Sequence, residues 1–319
     1  MTRMPSDSGT VVVLGTGGTI AGTAASSTSH TGYQAGALTA ADLLAAVPAL
    51  QGQAIETESV AQLDSCDMDH ATWALLAQRI AAHLARPEVR GVVITHGTDT
   101  LEETAYFLHR TVAAPKPVVL TAAMRPATAL SADGPQNLFD AIALAREAGA
   151  VGVLVGFGGR VFGAADLRKV HGYRVEAFDA GDAGALAQFE DGRLRRFRGW
   201  PEEGGDAAAL LALAPADWPR VEIVLSHAGA TGALLDAAVA QGARGIVIAG
   251  TGNGTVHASL LAAARRAVAQ GVPVWRSSRC LLGGVVVGAD DTLPSAGPLT
   301  PMQARVALML HLAGGAPPA

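Results

Sequence analysis

The chain has 319 residues, half of them hydrophobic and 16% charged, with a formal net charge of -5. That length suits about two domains, and that composition supports a large buried core. With no basic or acidic block, only two cysteines and no apolar run near the roughly 20 residues of a spanning helix, nucleic-acid binding, a disulfide framework and a membrane span are argued against.

Residues 1–9 carry no apolar stretch of the kind a signal peptide needs, so the expected location is the cytoplasm, or the periplasm if a leader has been removed. Residues 10–14, Thr-Val-Val-Val-Leu, read as a fully buried strand that breaks at once into Gly15-Thr16-Gly17-Gly18-Thr19. The glycines let the backbone turn sharply and approach a small ligand closely. A dinucleotide fingerprint fails here because Ile20 stands at its third glycine, and a phosphate loop fails for want of a lysine. What remains is a plain turn, or a turn that holds the hydroxyls of Thr16 and Thr19 where open α/β sheets place their ligands.

Residues 23–36, rich in Ser, Thr and Gly around Tyr33, read as a loop able to act as a lid. Thr39 is placed to cap a helix over 40–47 that Pro48 stops. A second strand falls within 54–63 and runs into Asp64-Ser65-Cys66-Asp67-Met68. Asp69 then caps a helix containing Trp73, Leu75, Leu76, Ile80 and Leu84, whose spacing suits one buried face. A strand over 91–95 ends at His96-Gly97-Thr98-Asp99-Thr100, and the next helix opens with Glu102 and Glu103, acids that suit its positive end. Residues 117–120 form a strand that ends at 121–125, residues 135–148 a helix, and residues 151–155 another strand. Three strand ends in this half carry hydroxyls: Thr16, Ser65 and Thr98. Residues 157–195 change to turn-rich strand and loop, and 196–219 read as an interdomain connection. Strands follow over 221–225, 245–249 and 272–275, and helices over 233–241, 258–269 and 301–312. The fold class expected is α/β: a large doubly wound, mainly parallel domain over 1–195, a linker over 196–219 and a smaller α/β domain over 220–319.

The chain holds only two lysines, Lys116 and Lys169, among 23 basic side chains. Arginine does not give up its proton in a protein and lysine does, so a lysine kept in so arginine-biased a chain is a candidate for acid–base work. Lys116, between two prolines, reads as a surface residue, which leaves Lys169. A threonine hydroxyl needs a neighbouring base to attack. A relay of Thr98, Lys169 and Asp99 would serve, in a role analogous to the serine triads, with backbone amides of the glycine turn receiving an oxyanion. The reaction this implies is acyl transfer on a small amide or ester. The nine histidines show no metal-ligand spacing, so neither a metal nor another cofactor is expected; His96 and His227 read as hydrogen-bonded structural residues. Cys66 lacks a cysteine-hydrolase signature.

Thr16-Gly17-Gly18-Thr19-Ile20-Ala21-Gly22, together with Thr95-His96-Gly97-Thr98-Asp99-Thr100-Leu101-Glu102-Glu103-Thr104-Ala105, resembles the two signatures of the bacterial L-asparaginase/glutaminase family. The similarity runs from about residue 10 to residue 312 and takes in Tyr33, Met124-Arg125-Pro126, Ser131-Ala132-Asp133-Gly134-Pro135, Gly252-Asn253-Gly254 and Arg276-Ser277-Ser278-Arg279. The tyrosine loop and the Gly-Asn-Gly segment lean toward the type II branch. The resemblance implies hydrolysis of L-asparagine to L-aspartate and ammonia, without cofactor, by a homotetramer that shares its sites between subunits. It implies Thr16 as nucleophile assisted by Tyr33, and Thr98, Asp99 and Lys169 as the second catalytic group. It further implies Ser65 for the substrate's α-carboxylate, Asp99 for its α-amino group, the Ala123 carbonyl for its side-chain amide, and Asn253 from the neighbouring subunit.

Two departures stand out. Cys66 occupies the place where type II members carry Gln or Glu. The loop after residue 279 lacks the family's glutamate, its nearest acids being Asp290 and Asp291, to which no role is assigned. A broad glutaminase-asparaginase is the alternative among enzymes, and a non-catalytic amino-acid sensor the alternative from another class. The archaeal-type tRNA amidotransferase subunit, which adds an N-terminal domain, fits less well.

Overall fold

The computed structural model describes residues 9–289 and 292–315. The segment 1–8, most of the stretch searched above for a signal sequence, lies outside the described residues, as do Asp290 and Asp291. The chain divides into two compact units, Met1–Gly205 and Asp206–Ala319. No helix among the described residues is long and apolar enough to cross a membrane.

The first unit is built from β1 (Thr10–Gly17), α1 (Ala40–Ala45), β2 (Ile55–Leu63), α2 (His70–Leu84), β3 (Val89–Thr95), α3 (Leu101–Thr111), β4 (Val118–Thr121), α4 (Gly134–Ala145) and β5 (Val153–Phe157). Five short strands complete it: β6 (Arg160–Gly163), β7 (Arg168–Lys169), β8 (Phe178–Asp179), β9 (Ala187–Glu190) and β10 (Arg193–Arg196). Eight strands form one sheet in the order β10-β9-β6-β5-β4-β3-β1-β2, and β7 pairs with β8 apart from it. From β2 to β5 every pairing is parallel; from β5 to β10 every pairing is antiparallel. The turn-rich stretch after residue 157 therefore extends the sheet by three antiparallel strands.

The parallel half forms because its strands are apolar on both faces. Val11 and Val13 pack with Ala40 and Leu43 of α1 and with Leu138, Ala141 and Ile142 of α4. The alternate residues Val12 and Leu14 are equally buried, and α2 and α3 pack on the sheet through β3 and β5. Side chains buried this fully contribute about 1.5–3 kcal/mol each. Behind the sheet edge, Trp73 of α2 stacks on Phe107 of α3 at 4.7 Å and its indole N–H donates to the Thr104 hydroxyl at 2.8 Å. The caps expected at Thr39 and Asp69 form, Thr39 in a reciprocal box with Asp42. The helix expected over 135–148 spans Gly134–Ala145, three residues shorter at its end, and Gly149 lies in the following turn at φ 74°.

The strand order sets the position of the site. β1 lies between β2 and β3, so the chain leaves β1 to one side and returns to build the sheet on the other. Beyond β1 and β3 the chain runs on to opposite sides of the sheet, the switch point at which open α/β sheets place their ligands.

The second unit has a three-stranded parallel sheet of β11 (Val221–Leu225), β12 (Gly245–Gly250) and β13 (Val274–Ser278). Its helices are α5 (Ala233–Ala240), α6 (Ala258–Ala269) and α7 (Pro301–Leu312). α7 packs on all three strands, and a Thr300–Gln303 box caps it. Residues 206–219 fold with this unit, largely as two short 3-10 turns.

Candidate active site

β1 ends in a bulge: Gly15 pairs with Ser59 but Gly17 with Leu63. Between them Thr16 is buried, and its hydroxyl donates to the Thr95 carbonyl at the end of β3 at 3.0 Å. Gly17 and Gly18 have φ of 104° and 76°, values that suit glycine. Gly18 also needs to be glycine for space, because a Cβ there would overlap the backbone of Gly97. A Cβ on Gly97 would in turn lie 2.7 Å from Ser65 Cβ and 3.1 Å from Gly18 Cα. The loops after β1 and β3 thus meet through backbone, and the Ser65 side chain packs against the same point, where Gly97 leaves no room for a side chain of its own.

The loop after β3 carries the densest chemistry. Lys169 Nζ donates to the Thr98 hydroxyl at 2.9 Å and to Asp99 Oδ1 at 2.6 Å. Thr98 is buried, Lys169 mostly so, and Asp99 half-exposed. The Asp99 backbone N–H donates to the Ser65 hydroxyl at 3.1 Å, and the Thr100 hydroxyl donates to the Ser65 carbonyl at 2.7 Å. Ser65, Thr98, Asp99 and Lys169 therefore form one connected group, although 104 positions separate the first from the last.

Tyr33 stands on the loop after the glycine turn. Its hydroxyl shares a 2.5 Å hydrogen bond with Thr19, and its ring lies against Gly22. Backbone bonds between Thr23 and Gln34 close the loop at its base. Burial raises the Tyr33 pKa above its ordinary value, partly offset by the Thr19 bond, with Asp64 and Asp99 adding to the rise. Tyr33 and Thr19 make one pair and Thr16 and Thr95 another. The Gly18–Gly97 contact joins both to the lysine group.

Ala123 is buried in the loop after β4, braced by Asp133, whose carboxylate accepts from the Met124 and Arg125 amides at 3.0 Å each. Asn253, in the second unit, is exposed, and its amide clips Val286 in both directions: Nδ2 donates to the Val286 carbonyl at 2.8 Å and Oδ1 accepts from its N–H at 2.7 Å. The sequence alone does not indicate that this side chain already has partners in its own chain. Cys66 is exposed beside Ser65; desolvation and then the carboxylates of Asp64, Asp67 and Asp99 raise its thiol pKa, which keeps it a neutral thiol. His96 is fully buried, its Nδ1 donates to the Gly97 carbonyl at 2.7 Å, and burial lowers its pKa to about 4. His227 is exposed and its Nδ1 bonds the Ala228 carbonyl at 2.9 Å. Among the described residues no group of three or more His, Cys, Asp or Glu side chains is arranged to hold a metal ion.

Two residues were not picked out from sequence. The Thr95 carbonyl orients Thr16, but a backbone oxygen leaves no mark in a residue string. Glu102 reads from sequence only as an acid at a helix start, yet it is 5% exposed and accepts the Lys169 backbone N–H at 2.9 Å. The signal that would have found it is α3 itself, whose Leu101, Thr104, Ala105, Tyr106, Phe107 and Leu108 are buried around most of its girth.

The fold and this cluster define a class: a two-unit α/β protein with a threonine–lysine–aspartate group at the sheet edge, equipped for acyl transfer. Comparison with known sequences makes the class specific. The family description "Asparaginase, N-terminal" matches residues 10–201, and "Glutaminase/Asparaginase C-terminal domain" matches residues 220–319. The L-asparaginase 2 of Bacillus subtilis (strain 168) is 38% identical over 306 residues, covering 94% of this chain and 81% of its own. The glutaminase-asparaginase of Pseudomonas fluorescens biotype A is 36% identical over 316 residues, covering 95% and 86%. A crystal structure of a "probable cytoplasmic L-asparaginase" from Campylobacter jejuni superposes with a TM-score of 0.89 at 39% identity, covering 95% of each chain. The chain belongs to the asparaginase/glutaminase family.

Proposed function

We propose that this protein is an L-asparaginase that hydrolyses L-asparagine to L-aspartate and ammonia through an ester on Thr16. The observation that carries the reading is the Lys169 amino group held on Thr98 and Asp99, beside the glycine turn that presents Thr16. Thr16 Oγ attacks the side-chain amide carbon, its proton passes by way of Tyr33 to the departing nitrogen, and the C–N bond breaks to release ammonia. Water then attacks the aspartyl ester, Thr98 taking its proton while passing its own to Lys169 in the neutral amine form, and the proton returns to the Thr16 oxygen as aspartate leaves. Ser65 takes the substrate's α-carboxylate, Asp99 its α-amino group, and the Ala123 carbonyl the amide N–H. The working unit is a homotetramer, in which Asn253 approaches the site of a neighbouring subunit.

A second reading, a broad glutaminase-asparaginase, is favoured by the 36% identity to the Pseudomonas enzyme of that name. The substrates differ by one methylene, which a pocket discriminates by about 1–3 kcal/mol. Ammonia release from L-asparagine and L-glutamine, measured side by side, tests both. Faster release from asparagine is expected, and equal rates favour the broader enzyme. Saturable aspartate binding with no release from either amide overturns the catalytic reading in favour of a sensor.

A further inference from the structure

The lysine of the cluster sits on one of the shortest elements of the molecule. β7 is two residues long and pairs with the equally short β8, Lys169 opposite Phe178. Such a ladder holds a backbone weakly. The Lys169 N–H is directed elsewhere, to Glu102 Oε2 at 2.9 Å. Glu102 lies in the first turn of α3, three positions after Asp99 and four after Thr98. One helix start thus carries both partners of the Lys169 amino group and an anchor for the Lys169 main chain. A carboxyl buried this deeply is costly unless its oxygens are used.

We propose that Glu102 is a positioning residue for the reaction: its carboxyl oxygen fixes the main chain at Lys169 so that Nζ meets Thr98 and Asp99. The inference rests on the role proposed above for Lys169. Burial pushes the Glu102 pKa up to about 7, against the lowering by the Lys169 N–H bond, with Glu103 raising it and Arg168 and Lys169 lowering it, so the neutral and charged forms are both present near neutrality. What Glu102 supplies to Lys169 is an acceptor at a fixed distance, and a neutral group supplies that as well as a charged one.

The test is steady-state kinetics on asparagine with the full chain, comparing wild type, Glu102→Gln, Glu102→Asp and Lys169→Met, with melting curves for each. Gln keeps both length and acceptor oxygen, and its kcat stays within about threefold of wild type. Asp is one methylene short of Lys169, and its kcat falls on the order of ten- to a hundredfold while KM moves less than about threefold. A Glu102→Asp kcat equal to wild type overturns the proposal. A Glu102→Gln kcat as low as that of Lys169→Met also overturns it, whether or not the Asp variant folds, because charge would then be what matters. A wild-type kcat in Lys169→Met instead brings down the underlying reading of the lysine.

Discussion

Replacing Gly18 by alanine tests whether the site depends on the backbone contact between two loops. At φ 76° an alanine is strained, at a cost of about 1–2 kcal/mol. Its Cβ would also overlap Gly97 N and Cα, which are main-chain atoms and have no rotamer by which to yield. To restore van der Waals separation the two loops must part by about 1 Å. Overpacking of this kind costs about 1–3 kcal/mol, so the total destabilisation is about 2–5 kcal/mol. In a unit of some 200 residues that lowers Tm by about 4–20 °C. The larger effect falls on catalysis, because the same 1 Å separates the Thr16 turn from the Thr98 loop, and a displacement of that size costs about a hundredfold in rate. Calorimetry and ammonia release on the purified variant measure the two effects separately. A Gly18→Ala protein with wild-type Tm and wild-type kcat would refute the reasoning.

Three further outcomes follow from named contacts. Tyr33→Phe removes the hydroxyl shared with Thr19, which is worth about 1 kcal/mol of stability, yet kcat should fall about a hundredfold; an unchanged kcat removes Tyr33 from the mechanism. Cys66→Gln places an amide beside Ser65 and should lower KM for asparagine by about fivefold, the equivalent of one added hydrogen bond; an unchanged KM means that the side chain after Ser65 does not reach the substrate. The Glu102 carboxyl binds its proton more tightly folded, with a pKa raised from 4.5 to about 7, so the folded state carries the extra proton between those values and stability falls as pH rises through that window. Glu102→Gln abolishes this slope, and denaturant titrations should show it gaining about 3 kcal/mol on wild type between pH 4 and pH 8; a constant difference would mean that the carboxyl titrates normally.

The sequence was most legible where local chemistry and tertiary structure agree. Val11 to Leu14 is apolar at every position because both faces of the strand are covered. Thr39, Asp69 and Thr300 cap helices through their own side chains, which a short window of sequence contains. The scarcity of lysine pointed to Lys169 independently of the family resemblance. The antiparallel strands after Phe157 were harder to read, because each is only four residues long, β10 is largely exposed, and β6 meets β9 across an intervening stretch of more than 20 residues. The meeting of Gly18 with Gly97, the burial of Glu102 and the clip between Asn253 and Val286 were not legible at all. Each depends on which loops the fold brings together, and no local pattern records that.

The central claim is that a threonine at the end of the first strand carries the acyl group. Quenching the enzyme during turnover of L-asparagine and weighing the peptide that contains Thr16 tests it most directly. The account predicts an aspartyl ester on Thr16, absent from Thr16→Ala, together with loss of ammonia release in that variant. A Thr16→Ala protein that releases ammonia at the wild-type rate would contradict it.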